Sequence, residues 1–246
     1  MTASPIADLR VRQGDGKGHA QAAKDMFERI APTYDLLNRL MSAGIDRRWR
    51  ERAMAELEGS PRGTVLDLCA GTMDFSALLD AARPHDRLVA LDFSPAMLEA
   101  GRAKAIRAEL VVGDATDLPF GDGEFAAVVC GFGMRNLSDP VAGAREVLRV
   151  LKPGGVFVTL ELFRPRRLAT RAFHAAYARL VLPRVGGWVS GERSAYDYLA
   201  RSMAGFLTRT EYERALADVG FARVRGYDLT LGVASVVRGE RREAHR

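Results

Sequence analysis

Apolar residues near the start of the chain recur at spacings of three and four. Phe27, Ile30, Tyr34, Leu37 and Leu40 share one helical face, with Pro32 marking a break or a first turn. A further helix is expected from Asp46, carrying Trp49 and Met54. From Thr64 the period changes. The short apolar runs TVLDL, RLVALD, AELVVGD, EFAAVVCGFG and GGVFVTLEL read as strands, with helices after the first run, from Pro95 and through VLRVL. Such alternation predicts an α/β fold, a doubly wound and mostly parallel sheet with right-handed crossovers. A polar-apolar insertion over about 164–206 follows, then a helix near Glu211 to Val219. The closing runs FARVRGYDL and LGVASVVRG lie near enough to pair as an antiparallel hairpin.

The first twenty residues, MTASPIADLRVRQGDGKGHA, are rich in glycine and charge, lack periodicity, and are expected to form a flexible tail. No linker divides the remainder, so residues 21–246 read as one domain with N-terminal helices and a helical insertion before the hairpin. A chain of 246 residues that is 48% hydrophobic can bury one sizeable core.

A net charge of +5 admits nucleic acid, an anionic membrane or an acidic small molecule as partner, and charge alone does not choose. Nucleic acid is not expected, because aromatic residues do not interleave with a basic strand face. Cys69 and Cys130 fall in apolar runs without C-x-x-C or histidine partners, so they form neither a metal site nor a disulfide framework and read as a reduced, buried pair. No metal is expected. No leader and no run of about 18 apolar residues is seen, and the expected location is cytoplasmic, with association at the inner face of the membrane left open.

The stretch VLDLCAGTMDFSALL has the form of a strand, a glycine loop and a helix. It is a poor phosphate cradle. Only Gly71 survives of a G-x-G-x-x-G fingerprint, and Asp67 and Asp74 flank the loop. Asp67, Asp92 and Asp114 close the first three strands and form an acidic rim, where a pyrophosphate would meet repulsion on the order of a few kcal/mol. S-Adenosyl-L-methionine carries a sulfonium and an ammonium and no phosphate, and fits that rim. Asp92 suits the ribose hydroxyls, while Asp114 and Ala115 suit the adenine end. Plainer readings stand beside these: Asp74 as a helix cap, Asp114 as a turn former, Ser94 and Pro95 as a helix start.

The segments FERIAPTYDLLNRLMSAGIDRRWR, LDFSPAMLEAGRAK, DATDLPFGDGEFAAVVCGFGMRNLSDP, REVLRVLKPGG and LPRVGGWVSGERSAYDYLARSM resemble the ubiquinone/menaquinone biosynthesis C-methyltransferase family. The likeness runs from about Phe27 to Gly239; LKPGG is unspecific, whereas FGMRN and YDLLN are distinctive. It implies a Rossmann-like, S-adenosylmethionine-dependent enzyme methylating a ring carbon of a polyprenylated benzoquinol or of demethylmenaquinol. It also implies cofactor contacts at Thr72, Asp92, Asp114, Ala115 and Gly131. Met73 and Gly131 depart from the family pattern, where glycine and serine are usual, which predicts a narrower methionine subsite and a lost hydroxyl contact.

Carbon methylation needs an electron-rich ring, hence a phenolate. Arg135 could stabilise that anion and Asn136 orient the ring oxygen, or Arg135 could pair with Asp139 while Asn136 shapes a turn. Tyr34 reads either as a lid over the site or as core, and none of the histidines is placed to act as a base. Between Arg164 and Arg184 there are six arginines and no acids, interleaved with Phe173, Tyr177 and Leu180, the pattern of a helix lying on anionic lipid or of an ordinary solvated face. The expected partners are thus a lipophilic quinol and a membrane surface, with a homodimer left open. Rival readings are a same-fold methyltransferase for another lipophilic molecule and a catalytically silent subunit.

Overall fold

A computed structural model describes residues 16–104, 106–166, 168, 170, 172 and 193–243. The N-terminal apolar stripe becomes two helices, α1 (Gly16–Ile30) and α2 (Tyr34–Ser42), separated by a 3-10 turn at Ala31–Thr33. Pro32 sits within that turn, where its fixed φ is tolerated and its missing N–H breaks no helical ladder. Helix α1 begins at Gly16, so residues 16–20 of the stretch expected as a tail are helical; residues 1–15 lie outside the described part. Helix α3 (Ile45–Ala55) follows after a left-handed Ala43–Gly44 turn.

The alternating segment gives β1 (Val65–Leu68), α4 (Asp74–Ala82), β2 (Leu88–Asp92), α5 (Pro95–Gly101), β3 (Glu109–Val112), β4 (Phe125–Gly131), α6 (Pro140–Val150) and β5 (Leu151–Glu161). Helix α5 is started by Ser94, whose hydroxyl accepts from the Met97 N–H, with Pro95 at the first position; Asp139 and Pro140 do the same for α6. Helix α7 (Arg193–Gly205), helix α8 (Arg209–Val219) with a Thr208–Glu211 capping box, and strands β6 (Ala222–Leu229) and β7 (Ala234–Glu240) complete the described chain.

The seven strands lie in the order β3-β2-β1-β4-β5-β7-β6. Strands β1 to β5 are parallel, and β7 pairs antiparallel with both β5 and β6. The closing hairpin thus inserts its second strand beside β5. One face of the sheet is covered by α6 and α8 through Ala144, Val147, Tyr212 and Leu216, the other by α3 and α4 through Trp49, Ala53, Phe75 and Leu79. Strands β1, β2 and β4 are apolar on both faces because both are covered. Strand order reverses between β1 and β4, so their carboxyl ends open the crevice in which ligands of such sheets bind. Most of the arginine-rich segment, including Phe173, Tyr177 and Leu180, lies outside the described residues.

Candidate active site

Three non-glycine residues at that crevice have left-handed backbone: Cys69 (φ 55), Met73 (φ 65) and Phe132 (φ 59). Each such conformation costs on the order of 1–3 kcal/mol and persists only where the surroundings enforce it, which favours functional loops.

One cavity, of about 600 Å³, lies at the ends of β1, β2 and β4 and is lined by Gly71, Asp92, Asp114, Ala115, Gly131 and Asn136 among others. Its size falls in the roughly 300–1,000 Å³ range of small-molecule sites. Asp92 is buried at the end of β2, where Oδ2 accepts from the Gly71 N–H at 2.8 Å and Oδ1 from the Ser94 N–H at 2.9 Å. Burial raises its pKa to about 6, opposed by those backbone N–H groups. The Gly71 N–H, which in a phosphate-binding loop would face the ligand, is therefore committed to a carboxylate. Asp74 adds a negative charge at the start of α4 and is held by Lys104 Nζ at 2.5 Å and Arg50 Nη2 at 3.1 Å. Both features exclude a pyrophosphate from the usual place. Asp114 is exposed two residues beyond β3, and its Oδ1 accepts from the Thr116 N–H and hydroxyl, so the turn-forming role and the cavity position coexist.

Two expected cofactor residues are not brought to this cavity. Asp67 is the third residue of the four-residue β1 and stands in register with Ala90, two residues before Asp92, so it lies deeper in the sheet than the rim; it is buried, and its Oδ2 accepts from the Ser76 hydroxyl at 2.6 Å. Burial, against the Ser76 hydrogen bonds, pushes its pKa up to about 7. Thr72 is also buried; its hydroxyl donates to Asp35 Oδ1 at 2.5 Å and accepts from Lys104 Nζ at 3.3 Å.

The two departures at Met73 and Gly131 read differently in three dimensions. Met73 is buried away from the cavity in a cluster with Ala90 and Leu98, and its Cε occupies the space a Cβ on Gly101 would need, 2.6 Å away. It does not narrow the site. A Cβ on Gly131 would stand 2.5 Å from Phe75 Cε2, so the aromatic ring takes the volume a serine would use.

A second cavity of about 350 Å³ adjoins the first and is mostly apolar, with Trp49, Phe132, Leu162, Met203 and Val233 in its walls. Tyr34 and Phe132 border both cavities and form the partition. Arg135 lines the second cavity. Its Nη1 donates to Glu161 Oε1 at 2.7 Å and to the Phe132 carbonyl, and its backbone N–H donates to Glu161 Oε2 at 3.3 Å. The expected alternative partner, Asp139, instead caps α6. Burial is the largest single influence on the Arg135 pKa and lowers it, but the Glu161 charge and hydrogen bond together with the Tyr198 and Tyr34 hydroxyls outweigh it and the net shift is upward, so the guanidinium stays charged.

Asn136 donates through Nδ2 to the Phe132 carbonyl at 3.1 Å and accepts at Oδ1 from the Tyr198 hydroxyl at 3.0 Å. Burial raises the Tyr198 pKa to about 12, which keeps that hydroxyl a donor and fixes the amide orientation. Burial also raises the Tyr34 pKa, so Tyr34 offers a proton at neutral pH and cannot act as a base. Tyr34 belongs to an aromatic group with Phe27, Phe93 and Tyr198 that lies where α1 covers the first cavity. Glu161, Arg50, Phe132 and Tyr198 were not singled out from the sequence. Glu161 carries a usable signal, an acid ending an apolar strand as Asp92 does; Tyr198 carries none.

Residues 16–241 match the profile of the ubiE/COQ5 methyltransferase family. The chain is 42% identical over 241 residues to the demethylmenaquinone methyltransferase of Deinococcus radiodurans, covering 96% of this chain and 99% of that protein. It is 39% identical over 225 residues to the ubiquinone/menaquinone biosynthesis C-methyltransferase UbiE of Geotalea daltonii, covering 89% and 95%. Among solved structures, the geranyl diphosphate C-methyltransferase of Streptomyces coelicolor, in complex with S-adenosyl-L-homocysteine, superposes with a TM-score of 0.58 at 19% identity, covering 82% of each chain. A putative methyltransferase bound to the Trm112 activator of Haloferax volcanii gives 0.65 at 20% identity, covering 88% of this chain and 98% of that one. At these identities the structures speak for the fold.

Proposed function

The chain belongs to the ubiE/COQ5 methyltransferase family, and from that membership we propose that it methylates a ring carbon of a polyprenylated quinol with S-adenosyl-L-methionine as donor. The observation that carries the reading is the pairing of two cavities across Tyr34 and Phe132, one acidic and polar, the other apolar with a buried cation. The acidic cavity fits the donor because its loop N–H is engaged by Asp92 and its rim offers carboxylates where a phosphate ligand would need N–H groups.

In this reading Asp92 receives the ribose hydroxyls on lone pairs left by Gly71 and Ser94, Asp114 and Ala115 border the adenine, and Gly71 and Gly131 leave backbone room for the methionine portion. Thr72 and Asp67 hold the loop from behind. When bound, S-adenosylmethionine supplies an electrophilic methyl group on a sulfonium. The chain's own residues then have to make the acceptor carbon electron-rich. A phenol-like hydroxyl titrates near about 10, and a fixed guanidinium at the oxygen favours its anion at neutral pH. Arg135, held by Glu161, supplies that charge. The Asn136 amide retains an N–H for the same oxygen, and the apolar walls keep water from the ring.

The polyprenyl tail needs an apolar way out. Leu231, 80% exposed in the turn beside Thr230, stands near the second cavity, with Leu36 and Leu40 exposed on α2. This rim supports tail exit toward a membrane that the enzyme touches peripherally; among the described residues no helix is long and apolar enough to cross one. Incubation of the protein with methyl-labelled S-adenosylmethionine and each reduced quinol, followed by location of the label, tests the reading: label on a ring carbon supports it, and label on oxygen or none overturns it.

A further inference from the structure

Arg135 is not the only guanidinium in the second cavity. Arg50, on α3, lines the same space, and each side chain is only 7% exposed. Arg50 is held by Asp46 Oδ2 on Nη1 at 2.5 Å and by Asp74 Oδ2 on Nη2 at 3.1 Å. Its carbon Cζ lies 5.8 Å from the Phe75 ring centroid and 5.3 Å from that of Phe132, which limits its freedom to turn. Both arginines share a further property. Nε of Arg50 and Nε of Arg135 are buried and have no hydrogen-bond partner among the described residues. A buried charged donor left unmade is costly, so two of them in one small apolar cavity mark places where a ligand brings acceptors.

We propose that Arg50 is a specificity-determining residue whose Nε–H receives the second ring oxygen of the acceptor, while Arg135 receives the first, so that the site selects aromatic acceptors with two oxygens across the ring over monophenols. The proposal rests on the quinol reading above and deepens it. The assignment of ends follows from the neighbours. Arg135 adjoins Asn136, which lines the donor cavity, so its oxygen is the one next to the carbon that is methylated. Neither arginine itself borders the donor cavity, but Arg50 is on α3, none of whose residues lines that cavity, and its oxygen is the remote one. Asp46 and Asp74 keep Arg50 in place without occupying Nε, and the planar fork of arginine allows both at once. A lysine here would hold the acids with its terminal ammonium and place no donor at the position of Nε.

The test uses the full chain, S-adenosylmethionine, a short-tailed reduced naphthoquinol and the matching naphthol that keeps only the hydroxyl next to the reacting carbon. Wild type should prefer the two-oxygen acceptor by about tenfold or more in kcat/KM, chiefly through KM. In Arg50→Lys and Arg50→Gln the preference should fall to within about threefold, with turnover of the naphthol and calorimetric affinity for S-adenosylhomocysteine close to wild type. Equal losses on both acceptors, or an unchanged preference in folded variants, would overturn the proposal in favour of a structural role. Absence of discrimination in wild type overturns it whether or not the variants fold. A wild type that binds donor but methylates neither acceptor removes the quinol reading itself, an outcome visible before any variant is made.

Discussion

The backbone N–H of Gly71 donates to Oδ2 of Asp92 at 2.8 Å, tying the loop after β1 to the end of β2. An acid that closes its own phosphate-type loop converts an anion site into a site for a cationic, hydroxyl-rich ligand. In Asp92→Asn the charge is lost and the amide presents one acceptor where two N–H groups now bond. Affinity for S-adenosylhomocysteine, measured by calorimetry, should fall about 10- to 100-fold, as expected for loss of charged hydrogen bonds worth roughly 1.5–3 kcal/mol. Unchanged affinity would remove Asp92 from the donor site.

The same residue sets a pH dependence. Its folded pKa, about 6, lies above the ordinary aspartate value of 3.8, so the protonated form is populated in the folded protein at mildly acid pH. The donor prefers the ionised carboxylate, and affinity should rise as pH increases through about 6 and flatten above 7. Asp92→Asn should abolish the step. Calorimetry between pH 5 and 8 reads it; a step surviving in Asp92→Asn assigns it elsewhere.

Asp67 gives the stability counterpart. With a folded pKa raised from 3.8 to about 7, its contribution to stability is full below the unfolded value and is lost as pH rises through about 7. Each unit of that shift is worth about 1.4 kcal/mol. Asp67→Asn keeps an acceptor for the Ser76 hydroxyl and carries no charge, so it should melt above wild type at pH 8, with the gap narrowing as pH falls and closing only near pH 4, and with donor affinity unchanged.

The positions of Asp67 and Asp92 illustrate what could be read in advance. Both end apolar runs, and one-dimensional texture treats them alike, yet Asp67 stands in register with Ala90, two residues short of Asp92, and that offset separates a rim carboxylate from one buried beneath it. The alternation of strands and helices, the helix start at Ser94 and the hairpin were legible because they are local. The Arg135–Glu161 and Asn136–Tyr198 contacts join positions 26 and 62 residues apart, and no local pattern announces them. Met73 points away from the cavity for a related reason: its direction depends on a left-handed backbone that a residue's identity does not reveal.

Arg135 and Glu161 form a buried pair, and their removal one at a time should differ from removal together. Glu161→Gln leaves a buried guanidinium without its charge and should destabilise by about 3–5 kcal/mol in urea unfolding. Arg135→Met with Glu161→Gln should recover most of that stability and still lack carbon methylation, because packing is restored and the cation is not. Recovery of turnover in the double variant would show that Arg135 serves the fold and not the chemistry.

Gly131 and Phe75 offer a test of how tightly an aromatic ring fills the space beside β4. Gly131→Ser places a Cβ 2.5 Å from Phe75 Cε2. Phe75 is buried between the sheet and α4 and cannot swing into solvent, so the backbone of β4 or the helix must shift. Overpacking of this kind costs about 1–3 kcal/mol. A shift of β4 also moves Phe132, the next residue and part of the wall between the two cavities, so turnover should fall more than donor affinity. Phe75→Leu in the same chain clears the clash, and the double variant should regain both stability and turnover relative to Gly131→Ser alone. Melting temperature and single-turnover methylation, measured on the two single variants and the double, decide it: additive losses would mean that the two side chains do not compete for this space.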